Sequence, residues 1–102
     1  MVQAPSAAEL DAAGELLRAI ANPLRLAILL QLGEQSRCVH DLVAALNAPQ
    51  PLVSQHLRVL RGAHLVTGRR QGKEVLYSLA DEHVSHIAND AVRHILERKH
   101  IR

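Results

Sequence analysis

Apolar residues recur along this chain first at helical spacing and then at strand spacing. Leu10, Ala13, Leu16, Leu17 and Ile20 fall three and four positions apart and line one side of a helix. Ser6 and Glu9 stand at its start as a capping box, the hydroxyl covering the amide of Glu9 and the carboxylate reaching back. Asn22 and Pro23 restart the chain as a second helix, with Asn as cap and Pro in the first turn, where its missing N–H is no loss. That helix carries Leu26, Ile28, Leu29, Leu30 and Leu32, and Gly33 is expected to end it. A third helix, capped by Ser36, turns Val39, Leu42, Val43 and Leu46 inward and stops at Asn47. A fourth starts around Pro51, uses Leu52, Val53, Leu57 and Leu60, and stops at Gly62.

The period then drops to two. Residues 64–69 and 73–79 read as strands, with Val75, Tyr77 and Leu79 on one face, and RRQGK between them supplies a glycine-containing turn. Asp81 caps a last helix to about residue 100. The order is α-α-α-α-β-β-α, an α+β fold that is mainly α. We expect one domain over 1–102, with a helix-turn-helix at about 38–61, a wing at about 64–79 and a C-terminal helix at about 81–100.

Composition narrows the classes. There are 102 residues, no Phe or Trp and one Tyr, so the core must be aliphatic. A chain this short hides a modest share of its surface, and a homodimer would hide more. A single Cys forms no internal disulfide, no apolar run is long enough to span a membrane, and the N-terminus lacks the features of a signal peptide. The expectation is a cytoplasmic protein with no membrane partner.

The net charge of +2 hides an uneven distribution. From Leu42 to Lys73 there is no acid, while Arg58, Arg61, Arg69, Arg70 and Lys73 crowd its second half. Two short helices and a hairpin with that charge form the footprint of a winged helix-turn-helix that binds double-stranded DNA. Gln50, Ser54, Gln55, His56, Arg58 and Arg61 are the candidate side chains of the reading helix, with Arg69, Arg70 and Lys73 on the wing. No nucleophile motif or phosphate-cradling glycine loop accompanies them, so an enzyme is not expected.

The segment RCVHDLVAALNAPQPLVSQHLRVLRGAHLVTGRRQGKEVLYSL resembles the core of the ArsR/SmtB family of winged-helix, metal-responsive repressors. Its CVxDL, VSxHLxxLR, LVxxRxxG and VxYxL elements stand in family order from about Leu16 to Glu97. The resemblance implies a dimeric repressor whose metal-free form holds operator DNA and whose metal-bound form lets go.

The C-terminal helix carries the candidate metal ligands. His83 and His94 are eleven residues apart, so they share a helix face within ~20° but are separated by ~16 Å of rise. One ion cannot touch both from one straight helix, since zinc ligands sit within ~2.2 Å. The midpoint of 83 and 94 is 88.5 and that of Asp81 and Glu97 is 89. Two antiparallel copies would therefore bring Asp81 and His83 of one against His94 and Glu97 of the other, twice by symmetry. Two imidazoles and two carboxylates make a tetrahedral set for Zn²⁺, with Co²⁺ or Ni²⁺ as alternatives. Ala88 and Ala91 would stand near the axis, with Val84, Ile87 and Ile95 as apolar contacts. The pattern D-x-H-x10-H-x2-E also matches the family's zinc-sensing helix. His86 falls outside it, and His100 is a possible accessory near Glu97. The resemblance further implies that His94 donates its second N–H to a backbone carbonyl near His64, linking site and reading helix.

A second candidate site, also implied by the resemblance, is Cys38 with Asp41. Residues 1–37 hold no other Cys and no His, and one sulfur is too few for a soft-metal site. Cys38 reads better as a small half-buried apolar residue, with redox sensing through its thiol as the alternative function.

Overall fold

The computed structural model describes residues 3–101, with side chains through Arg98. The order of elements is α1 (Ala7–Ile20), α2 (Pro23–Glu34), α3 (Val39–Leu46), α4 (Gln50–Gly62), β1 (Val66–Gln71), β2 (Glu74–Leu79) and α5 (Glu82–Ile101). Every helix expected from periodicity is present. The first two start as their caps dictate. Ser6 Oγ accepts from the Glu9 amide at 3.1 Å while Glu9 Oε1 accepts from the Ser6 amide at 2.8 Å. Asn22 Oδ1 accepts from the amides of Leu24 and Arg25 at 2.9 and 3.0 Å. These bonds satisfy amides that no helical carbonyl reaches.

Three boundaries differ from expectation. Gly33 does not end α2, which runs through it to Glu34. At α3 the cap is Cys38 rather than Ser36, because Arg37 is held in extended pairing with β2 and forbids an earlier start. The Arg37 amide donates to the Tyr77 carbonyl at 3.0 Å and the Tyr77 amide to the Arg37 carbonyl at 2.8 Å. Ser36 instead spends its hydroxyl on Ser78, 2.6 Å away. The hairpin lies two residues later than expected on its first strand. His64 sits in a left-handed turn with φ 61°, outside the strand, and pairing begins at Val66 opposite Leu79. It closes at Gln71 opposite Glu74, with Gly72 at φ 63° in the two-residue turn, where glycine carries no steric penalty. Asn47 ends α3 in the left-handed region, as expected, with φ 51°.

The core is aliphatic throughout. Ile28, Leu29, Leu42, Val53, Leu57, Leu60, Leu65 and Val66 are all but fully enclosed, joined by Val84 and Ala88 of α5. These last two correct the expectation that they face a partner copy. Val84 is 4% exposed and Ala88 0%, both inside the protomer, where α5 packs on α2. The apolar stripe continues past the end of that contact, and there it is open: Ile95 is 41% and Leu96 53% exposed. With Leu26, Ala91 and Val92 they line a shallow apolar hollow. Among the described residues no single helix is long and apolar enough to cross a membrane.

Candidate nucleic-acid interface and metal ligands

Helix α4 is divided lengthwise. Val53, Leu57 and Leu60 anchor it in the core. Gln50, Ser54, Arg58 and Arg61 lie within ~80° of arc, centred ~90° round from that buried stripe. Gln50, Gln55, Arg58 and Arg61 are exposed and Ser54 is half-buried. Pro49 precedes the helix and Pro51 stands in its first turn, fixing its start without loss of a hydrogen bond. The helix is therefore presented rigidly, polar side outward, next to the α3 unit that completes the helix-turn-helix.

The wing leaves the same region. Arg69, Arg70 and Lys73 are all exposed. Arg69 and Arg70 are neighbours in a strand, so their side chains leave on opposite faces. Gly68 marks the root. A Cβ there would meet Val75 Cγ1 at 3.0 Å and Arg61 Nη1 at 3.3 Å, so the lack of a side chain lets the guanidinium of α4 nest against the wing. Arg61 thus ties reading helix to wing as well as adding charge.

His56 departs from the expected set. It is half-buried and turned toward the body of the protein, where its Nδ1 accepts from Arg25 Nε at 3.0 Å. Burial, then the adjacent Arg25 cation, lowers its pKa from the usual histidine value. Helical arc explains this: His56 lies ~100° to ~160° from the exposed donors of α4 round the ~100° per residue wheel, on the core side. A polar residue type gave no warning of that orientation.

On α5, Asp81, His83, His94 and Glu97 are all exposed. Asp81 caps the helix, its Oδ1 accepting from the Val84 amide at 3.2 Å, which leaves the second oxygen uncommitted among the described residues. His83 and His94 lie on the flank of α5, ~100° round from the buried stripe. Within one protomer the described residues bring no three metal-binding side chains together. His86 is exposed beside the groove between α2 and α5, and the side chain of His100 lies outside the described residues. No hydrogen bond joins His94 to His64 within the protomer among the described residues. A contact sequence reasoning did not anticipate lies nearby: the Ala80 amide, next to Asp81, donates to the Leu65 carbonyl at 2.9 Å, and the Leu65 amide donates to Leu60 of α4 at 2.9 Å.

The Cys38 and Asp41 pair has a structural use. Asp41 Oδ2 accepts from the Cys38 amide at 3.4 Å, closing the first turn of α3. The thiol receives a hydrogen bond from the Asp41 backbone, which favours the thiolate, but burial and the carboxylates of Asp41 and Glu74 outweigh it and the pKa rises. A raised pKa keeps the sulfur a thiol, the less reactive form.

Comparison with known proteins agrees with this architecture. Residues 22–67 match the model of the bacterial regulatory protein, arsR family. Over 85 residues the chain is 67% identical to the HTH-type transcriptional repressor SmtB of Mycobacterium tuberculosis; the match covers 83% of this chain and 63% of that protein, so the chain spans less than two thirds of that relative's length. It is 41% identical over 96 residues to a transcriptional repressor SmtB homolog of Synechocystis, covering 91% of this chain and 73% of that one. The solution structure of the homodimeric winged helix-turn-helix DNA-binding domain Mb0332 from Mycobacterium bovis superposes with a TM-score of 0.78 at 29% identity, covering 99% of this chain and 94% of that chain. With a helix-turn-helix and wing in the same order and these likenesses across nearly its whole length, the chain belongs to the arsR family of bacterial regulatory proteins.

Proposed function

We propose that this chain is a transcriptional repressor that binds operator DNA as a homodimer and releases it when a metal ion, zinc foremost, binds between the two subunits. One observation carries the DNA reading: the exposed polar side of α4 and the wing form a single surface holding Arg58, Arg61, Arg69, Arg70 and Lys73 with no acid between Leu42 and Lys73. Such a surface meets phosphates on either side of a major groove while Gln50, Ser54 and Gln55 reach base edges. The SmtB relatives, named as transcriptional repressors, support the same reading.

The dimer reading rests on the open end of the α5 stripe. Ile95, Leu96 and Ala91 of α5, with Leu10 and Leu17 of α1, are exposed. A second copy covers such a surface by symmetry, as in the homodimeric mycobacterial domain. The buried Val84 and Ala88 leave the axis to Ala91 and its neighbours.

The donor set fits zinc. Asp81, His83, His94 and Glu97 supply two imidazoles and two carboxylates, all exposed, with no cationic partner among the described residues. A bound Zn²⁺ would add two positive charges and hold together ligands contributed by both copies; Co²⁺ and Ni²⁺ suit the same donors. The protomer's own residues carry the consequence. Asp81 is one peptide from Ala80, whose amide holds the Leu65 carbonyl, and Leu65 holds the last turn of α4. Displacing Asp81 therefore loads the junction of reading helix and wing. His94 donating to a carbonyl near His64 would act on the same junction. Half-sites about 34 Å apart tolerate little change in the spacing of two reading helices.

The test of cross-chain ligation is to mix His83→Ala chains with His94→Ala chains. Neither homodimer keeps a complete set, but each heterodimer keeps one, so zinc binding reappears at up to half a site per heterodimer chain. Mixtures that bind no more zinc than the separate variants would reject the intersubunit site.

A further inference from the structure

The contact between Arg25 and His56 joins two elements that the helix-turn-helix must hold in register, and neither residue belongs to the DNA face or the metal set. Arg25 stands in the first turn of α2, where Asn22 caps its amide. Its guanidinium is a two-armed clamp: Nε donates to His56 Nδ1 at 3.0 Å and Nη1 donates to the Ala19 carbonyl at 3.0 Å. The clamp thus joins the end of α1, the start of α2 and the middle of α4. His56 lies between Gln55 and Arg58 of the reading surface, beside the core residue Leu57.

The chemistry fixes the protonation state. Arginine has donors only, so the nitrogen it meets must carry a lone pair. His56 is therefore neutral while the clamp is closed. A proton on Nδ1 would remove the acceptor and set an imidazolium against a guanidinium in a half-buried place. Arg25 is the one charged group that acts on the ring among the described residues. Glu15 and Arg18 of α1, His40 and Asp41 of α3, and Arg69 and Arg70 of β1 lie on exposed surface.

We propose that Arg25 and neutral His56 are positioning residues for the reading helix, and that protonation of His56 opens their clamp and weakens DNA binding without any metal. This rests on the DNA reading above. The sign follows from linkage. A histidine whose folded pKa is depressed contributes stability that is complete above its unfolded value of about 6.5 and is lost as pH falls through the folded value. The lowered His56 pKa agrees with that direction.

The experiment uses metal-free full chain and a short labelled duplex selected from a randomised pool at about pH 7.5. Affinity is measured down to about pH 5.5 for the natural chain and for His56→Asn, whose Oδ1 takes the place of Nδ1 and accepts from Arg25 but does not titrate. All other histidines titrate alike in both, so the ratio of the two affinities isolates His56. At the upper pH the two bind alike. Toward the lower pH the natural chain falls about three- to ten-fold behind His56→Asn, the range expected for one lost hydrogen bond. NMR titration of the natural chain's His56 ring then gives a midpoint below about 6.5. Parallel affinity profiles, or a His56 midpoint at or above that value, would overturn the clamp. Failure of both chains to select or hold any duplex at any pH would instead overturn the DNA reading on which the clamp depends. Should His56→Asn prove unfolded by circular dichroism, Arg25→Lys, which keeps the charge but loses the second arm, serves in its place: weakened binding at the upper pH supports the clamp, and binding equal to the natural chain's contradicts it.

Discussion

Replacing Arg69, Arg70 and Lys73 of the wing by alanine together gives a quantitative test of the surface. Each protomer loses three exposed cations. Not all three can lie against one duplex, because Arg69 and Arg70 leave the strand on opposite faces. One of them plus the turn residue Lys73 leaves two phosphate contacts per protomer, or roughly four per dimer. At about 0.9 per contact, the plot of log affinity against log salt becomes shallower by about 3 to 4. The assay is fluorescence anisotropy of a labelled duplex across a salt series, with thermal melting as control. The melting midpoint should stay within a few degrees, since exposed substitutions rarely change stability by more than about 0.5 kcal/mol. Arg69→Ala and Arg70→Ala alone should be unequal, one steep and one mild. A slope unchanged in the triple variant, or equal losses from the two single ones, would refute the wing as a phosphate contact read from strand geometry.

Other outcomes follow from the same structure. His83→Ala and His94→Ala should each keep duplex affinity within about two-fold of the natural chain while zinc-driven release disappears, because both side chains are exposed on α5, outside the helix-turn-helix and the wing; release that persists in either would point to other ligands. Cys38→Ser should respond to zinc almost as the natural chain does, since its thiol is kept protonated and Asp41 is engaged in the α3 turn; a zinc-blind variant in the same titration would move the sensor to α3. Leu57→Ala should destabilise the fold by about 3 to 5 kcal/mol, read as a lower urea midpoint at unchanged slope, because Leu57 is 1% exposed and its loss leaves a cavity beneath α4.

Much of this molecule was legible from spacing alone. Capping pairs such as Ser6 with Glu9 and Asn22 with Pro23 fix helix starts locally, so local sequence suffices to find them. The change of period after Gly62 announces the wing for the same reason. What failed was whatever depends on a partner distant in the chain. Ser36 is a good cap by type, but the Arg37 pairing with Tyr77, forty residues on, decides where α3 begins. Periodicity in α5 reveals an apolar stripe and says nothing of which half meets α2 and which half stays open, so it does not distinguish Val84 and Ala88, which belong to the core, from an interface. His56 sits among donors in the sequence, and only the fold shows Arg25 reaching it across thirty-one positions. The proposed metal set rests on symmetric spacing along one helix, a logic that needs no knowledge of packing.

The most direct measurement is a titration of metal-free protein against a selected duplex at fixed salt, repeated with Zn²⁺, Co²⁺ and Ni²⁺. The expected result is tight binding without metal and affinity weakened by about ten- to a hundred-fold with zinc, the span of a typical allosteric coupling. Affinity that zinc leaves unchanged or strengthens would contradict it.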